Sequence, residues 1–180
     1  MKALEGNQVY LRAPEPEDLE HLYKWENDTD IWHVSNTLTP FSRFVLRQYI
    51  ENARLDIFET RQLRFMIDIK NDLNQKTIGT IDIFDFDPYH NRAGIGILIG
   101  DTFERGKGYA DDALKTLIHY CFSILKLHQL YCNISEDNST SLRLFQNNGF
   151  EIIGKKKDWI SSIDGWVNEY LLQLINKQKF

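Results

Sequence analysis

Ile99-Gly100-Asp101-Thr102-Phe103-Glu104-Arg105-Gly106-Lys107-Gly108-Tyr109-Ala110 joins two segments of different periodicity, and the fold is read outward from it. Upstream, Ala93 to Ile99 is a short, glycine-punctuated apolar run of strand length. Downstream, Ala110, Ala113, Leu114, Leu117, Ile118, Cys121, Phe122 and Leu125 recur at helical spacing, which predicts a helix from Tyr109 to Leu127. Glycines where a strand hands over to a helix let the chain turn sharply and aim unpaired N–H groups at one point. The helix dipole adds partial positive charge there, so a phosphate or pyrophosphate is favoured. Arg105 and Lys107 can add charge-assisted contacts. The same residues also suit a plain glycine turn carrying solvated basic side chains.

The familiar phosphate loops do not fit. Gly100 to Gly106-Lys107 has one residue too many for a Walker loop, and Gly108 stands where Ser or Thr would hold magnesium. Gly106-x-Gly108-x-x-Asp111 lacks the third glycine of the dinucleotide fingerprint. Asp111 and Asp112 complement the dipole but would repel a nearby anion. Binding is therefore expected through backbone amides, with both carboxylates turned outward.

Away from this junction, Gln8 to Arg12 reads as a strand. Pro16, Glu17 and Asp18 open a helix carrying Leu19, Leu22, Tyr23 and Glu26. A second amphipathic helix is expected from about Arg43 to Ile57. Leu63 to Ile69, Thr77 to Asp87 and Ala93 to Ile99, linked by the turns Asn71 to Gln75 and Pro88 to Asn91, predict an antiparallel meander. Gln129 to Ile134 reads as a strand, and Ser139 to Asn147 as a helix stopped by Gly149. Glu151 to Gly154, Lys157 to Ser162 and Asn168 to Ile175 complete the sheet, with Lys155-Lys156-Lys157 taken as a solvated turn. The expected fold class is α/β (α+β), a mixed, mostly antiparallel sheet flanked by helices.

The 180 residues, 42% hydrophobic, suit one domain over residues 1–180. With 26 acidic against 21 basic side chains and no long Lys/Arg tract, a general nucleic-acid binder is disfavoured, and a cationic substrate slightly favoured. Two cysteines, Cys121 and Cys132, exclude a disulfide scaffold and a four-cysteine zinc site, and both read as inert core thiols. Five scattered histidines show no metal spacing, and His119 and His128 are expected to face solvent or cap packing. No signal-like leader and no stretch of ~18 apolar residues occurs, so a soluble cytoplasmic protein is expected, with no membrane partner.

Arg105-x-x-Gly108-x-Ala110, after a strand and before a long helix, resembles the acetyl-CoA pyrophosphate motif of GCN5-related N-acetyltransferases (GNAT). Asn138-x-x-Ser141-x-x-Leu144-Phe145-x-x-x-Gly149-Phe150 agrees, as does Tyr10-Leu11-Arg12 followed by Glu17-Asp18-Leu19. The resemblance spans about residues 8 to 175 and is nearest the ribosomal-protein N-terminal acetyltransferase-like and spermidine acetyltransferase groups. It implies acetyl-CoA as co-substrate, no metal, and direct attack by a primary amine without an acyl-enzyme. The acceptor is left as a protein N-terminus, a polyamine or a small-molecule amine, and a homodimer is allowed.

By that resemblance Arg105, Gly106, Lys107, Gly108, Tyr109 and Ala110 cradle the pyrophosphate. Ile97, Leu98 and Ile99 offer free backbone groups to pantetheine and the acetyl carbonyl, from a strand that splays from its neighbour. Asn138 bonds CoA, Ser141 donates to the thiol, and Phe145 belongs to the same cofactor block. Asn138 equally suits a helix N-cap, and Ser141 a polar first-turn position. Many relatives carry a tyrosine acid where this chain has Phe145; phenylalanine donates no proton, which leaves Ser141 or water and leans toward the N-terminal acetyltransferase-like group. An alkylamine near pKa ~10 must lose a proton. Strand alternation puts Asp82 and Asp85 on opposite faces unless a bulge intervenes. Asp82 aligns with an acidic substrate contact of polyamine enzymes and is the favoured base, a solvated strand carboxylate being its other reading. Glu26, His33, His90 and Tyr170 are weaker candidates. Lys155 to Lys157 could touch the CoA 3′-phosphate, and Trp32, Phe41 and Trp166, placed in loops or turns, could line an acceptor pocket or simply pack. Two rivals stand beside the enzyme: a catalytically weak acyl-CoA-binding sensor, and a P-loop nucleotide hydrolase, already disfavoured by the missing Ser/Thr.

Overall fold

The chain folds on two apolar layers, one on each face of a seven-stranded sheet. A computed structural model describes residues 2–32, 37–70 and 76–177; the Asn71 to Gln75 turn and His33 lie outside them. Strands are β1 (Val9–Arg12), β2 (Leu63–Ile69), β3 (Thr77–Asp87), β4 (Arg92–Ile99), β5 (Gln129–Ser135), β6 (Glu151–Ser162) and β7 (Gly165–Ile175). Helices are α1 (Leu19–Glu26), α2 (Arg43–Asn52), α3 (Ile57–Thr60), α4 (Tyr109–Ser123) and α5 (Ser139–Asn147). The strand order is β1-β2-β3-β4-β5-β7-β6, antiparallel at every step except the parallel β4–β5 pair.

Alternation along β2 assigns the faces. Phe65 and Ile67 join the large core with Ala113, Leu114, Leu117 and Cys121 of α4, while Met66 packs with Leu22, Trp25, Leu46 and Ile50 of α1 and α2. The opening Tyr10-Leu11-Arg12…Glu17-Asp18 has a structural meaning. The Arg12 guanidinium, in β1, donates to both Asp18 oxygens at 2.6 and 2.8 Å and to Asp68 of β2 at 2.6 Å, so one side chain ties the start of α1 to the sheet. Burial alone would raise the Asp18 pKa, but these bonds outweigh it and lower it.

Several expected boundaries move. Pro16–Asp18 is a 3₁₀ turn, and α1 starts at Leu19. The second helix stops at Asn52 because Asp56 starts a new one, its Oδ1 accepting the N–H groups of Phe58 and Glu59. The helix expected to reach Leu127 ends at Ser123; the chain then turns through Lys126 at φ 56°, and Leu125 and Leu127 pack from that turn rather than from the helix. Lys155-Lys156-Lys157 lies inside the single strand β6, whose irregularities after Ile152 and Lys156 made two strands seem natural. Trp166 belongs to β7 and is exposed rather than packed. Cys121 and Cys132 are buried and unpaired, and burial pushes both thiols up, Cys132 to about 12. No helix among the described residues is long and apolar enough to cross a membrane.

Candidate active site

β4 pairs with β3 from Gly94 through Ile99, but with β5 only at Arg92↔Gln129, Ala93↔Leu130 and Gly94↔Tyr131. Among the described residues, the edge of β4 facing β5 has no strand partner from Ile95 onward, while β5 runs on to Ser135 paired with β7 on its far side. The two parallel strands thus open as a V toward their C-terminal ends. Ile97, Leu98 and Ile99 line one arm, half-buried. Unpaired backbone groups at such a depth call for a ligand or water. Residues 95–99 span about 16 Å at strand rise.

The open end of the V meets the glycine loop. The chain leaves β4 through Gly100, where a Cβ would fall 2.4 Å from the Trp25 indole, so only glycine passes. Asp101 caps the following turn by accepting the Phe103 N–H at 3.0 Å. Gly106 and Gly108 then adopt φ 76° and 89°, a conformation glycine reaches without strain. The first helical bond is Asp112 N–H to Gly108 carbonyl at 3.1 Å. Among the described residues, the amides of residues 106–111 donate to no acceptor of the chain. With the dipole of α4 behind them, they form the kind of donor cluster that fits a diphosphate.

The charged side chains here are mostly spoken for. Arg105 Nε donates to the Ile99 carbonyl at 2.9 Å, binding the loop to the arm of the V. Lys107 pairs with Glu104 at 2.7 Å, which also takes Lys76 at 2.6 Å; Lys107 first, then Lys76, hold the Glu104 carboxyl below its ordinary range. Asp111 accepts from Lys115 at 2.6 Å and from Asn148 at 2.8 Å. The expectation that both first-turn aspartates turn outward fails for Asp112. It is buried and accepts the backbone N–H groups of Asn7, Gln8 and Val9 at 2.9, 2.7 and 3.0 Å. Turned inward, the carboxylate spends its lone pairs on these three amides instead of facing the anion cradle. Gly6 is what lets the chain pass so close, since a Cβ there would meet Asp112 Oδ2 at 2.4 Å.

Across the V, Asn138 caps α5 through Oδ1, which accepts the Ser141 N–H at 3.1 Å. The Ser141 hydroxyl is half-exposed and has no hydrogen-bond partner among the described residues. Phe145 is buried, edge-on to Phe150 at 5.1 Å, so its ring serves the core. Just before Asn138, Glu136 accepts from Lys155 at 2.5 Å, Tyr170 at 2.6 Å and Asn168 at 2.5 Å. Lys155 first, then Tyr170 and Asn168, bring its carboxyl down to about 2.

The favoured base, Asp82, lies one strand over from the open cleft, as the cross-strand partner of Gly96 in β4. Its carboxylate takes Arg64 Nε at 2.6 Å and a second guanidinium nitrogen at 3.2 Å, while Arg64 also reaches Glu26 at 2.5 Å. Tyr49 stands 5.3 Å over the guanidinium, and Tyr49, Gln62, Arg64, Asp82 and Phe84 line a cleft of about 180 Å³. Arg64 and Asp82 are cross-strand partners, so sequence reasoning missed a pairing that a lone arginine in the apolar run Leu63-Arg64-Phe65-Met66-Ile67 advertised. His90 is exposed on the β3–β4 turn, at the opposite end of β4 from the loop. His33 lies outside the described residues.

Comparison with known proteins agrees with this geometry. A family model described as acetyltransferase (GNAT) domain matches residues 8–151. The chain belongs to the GNAT family, and it is an acetyltransferase. It is 27% identical over 99% of its length to p20, an N-acetyltransferase of Bacillus licheniformis, covering 98% of that protein. It is 26% identical over 81% of its length to a spermidine N(1)-acetyltransferase of Vibrio cholerae, 80% of which is covered. The fold matches a Vibrio cholerae spermidine N-acetyltransferase solved with CoA and spermine at TM-score 0.82 and 22% identity, over 93% of this chain and 95% of that one.

Proposed function

We propose that residues 1–180 form one N-acetyltransferase domain that moves the acetyl group of acetyl-CoA to a primary amine. The observation that carries this is the run of unbonded amides at residues 106–111 opening onto the unpaired edge of β4. The amides suit a diphosphate, and the free strand edge suits the amide-bearing arm that follows it. Bound there, acetyl-CoA supplies a thioester carbonyl. The acceptor nitrogen attacks that carbonyl carbon; the C–N bond forms, the C–S bond breaks, and nitrogen gives its proton to water or a base. Sulfur takes a proton from the Ser141 hydroxyl, which regains one from water.

For the acceptor, the Arg64 cleft is informative. Two carboxylates, Glu26 and Asp82, face one guanidinium and leave one negative charge over. That favours an alkylammonium, in line with the spermidine-acetylating relative. Asp82, bound twice by Arg64, suits a contact for that cation better than a base, since both its oxygens already accept from the guanidinium. A cytoplasmic location goes with two reduced, buried thiols. The second reading, an acyl-CoA-binding sensor, draws on the buried Phe145 ring, which puts no acid where many relatives have one.

Calorimetric titration with CoA and acetyl-CoA, followed by thiol release across polyamines, peptide N-termini and small amines, tests these readings. Binding with turnover on any amine supports the enzyme. Binding without turnover selects the sensor, and no heat from folded protein removes both.

A further inference from the structure

The closed end of the V is plugged by aromatic side chains. β3 loses register between Phe84 and Asp87, with Asp85 at φ 48°. Phe84 stays the cross-strand partner of Gly94 and lies over it: a Cβ on Gly94 would fall 2.2 Å from the Phe84 ring, and one on Gly96 at 3.7 Å. The ring meets Tyr131 edge-on, centroids 6.0 Å apart at 84°. Tyr131 is the last residue of β5 that pairs with β4, through Gly94. Its hydroxyl donates to Asp85 Oδ2 at 3.0 Å, and burial first, then this bond, push its pKa up to about 12, so it keeps its proton. Phe84 also forms part of the Arg64 cleft, and so stands between that cleft and the apex of the V.

We propose that Phe84 and Tyr131 limit the length of the acyl group, admitting acetyl and excluding chains of four carbons or more. This rests on the reading of the V as the acyl-CoA cleft. A donor held by its diphosphate at residues 106–111 runs along β4 toward Gly94, so its acyl end is the part that approaches the plug. A longer chain has to displace the Phe84 ring, and that ring is held from two sides, by the glycine floor and by Tyr131, which Asp85 in turn anchors. The bulge in β3 thereby acquires a role, since it brings the Asp85 carboxylate to Tyr131 beside Phe84 rather than leaving it on the opposite face.

The experiment compares free CoA, acetyl-CoA and butanoyl-CoA by calorimetry on the wild-type chain, Phe84→Ala and Tyr131→Phe, with folding followed by circular dichroism. Wild type is expected to bind butanoyl-CoA at least tenfold more weakly than acetyl-CoA. Phe84→Ala should narrow that ratio to threefold or less, and Tyr131→Phe, which frees the plug from Asp85, should fall between. If Phe84→Ala does not fold, Phe84→Leu replaces it, with at least a threefold narrowing expected. Equal wild-type affinity for the two thioesters, or an unchanged ratio in a folded Phe84 variant, overturns the proposal while leaving the cofactor site standing. Wild type that binds no free CoA overturns both.

Discussion

The Asp112 carboxylate and the Val9 amide meet at 3.0 Å in the interior, joining the first turn of α4 to the start of β1 across more than a hundred residues of chain. Asn7 and Gln8 donate to the same carboxylate. Asp112→Asn puts an amide N–H₂ against these donors and removes the charge they solvate. The expected loss is roughly 2–3 kcal/mol of stability, read from the urea midpoint at constant slope. An unshifted midpoint would show that the tether carries no stability.

Gly108→Asp should abolish the anion site. At φ 89° a side chain is strained whatever space it has, and the new carboxylate sits among amides meant for a diphosphate. Binding of CoA is expected to weaken at least a hundredfold, about 2.8 kcal/mol, while the helical signal persists. Retained affinity in calorimetry would refute the cradle.

Ser141→Ala separates binding from chemistry. Among the described residues its hydroxyl has no hydrogen-bond partner, and its backbone N–H is what Asn138 caps, so α5 survives the change. Turnover should drop by roughly 10²-fold with the CoA affinity nearly unchanged. A variant as fast as wild type would leave the thiolate to water.

Glu136 predicts a pH signature. Its carboxyl is ordinarily near 4.5 and is held at about 2 by Lys155, Tyr170 and Asn168, so the unfolded chain binds its proton more readily than the folded one. The stability it contributes is therefore fully present above pH 4.5 and drains away toward pH 2. Melting temperatures of wild type and Glu136→Gln should differ at pH 6 and converge as the pH falls through this window. A gap independent of pH would mean the cluster does not couple to folding.

Much of the architecture was legible in local pattern. The meander, α4 and α5 announced themselves through periodicity and turn chemistry, and the strand–glycine–helix junction pointed to the anion cradle. What stayed hidden depended on cross-strand register. The Arg64–Asp82 pair exists because β2 and β3 place those residues opposite each other. The inward turn of Asp112 depends on a distant segment arriving beside it, with Gly6 making room. Glu136 draws its three donors from β6 and β7, neither adjacent in sequence. The splay of β4 from β5 came from the family resemblance, because nothing in Ile95 to Ile99 itself encodes a missing neighbour.

The Lys76–Glu104–Lys107 chain, closed by Asp101 at 3.0 Å from Lys76, sums to zero charge beside the loop. Apart from Arg105, whose charge the Ile99 carbonyl does not neutralise, whatever grip the loop has on its guest then comes from fixed peptide dipoles, which hold no counterions to give up. Raising ionic strength, which erodes attraction between mobile surface charges, should therefore leave this grip largely intact, and the protein should work in a salty milieu almost as well as in a dilute one.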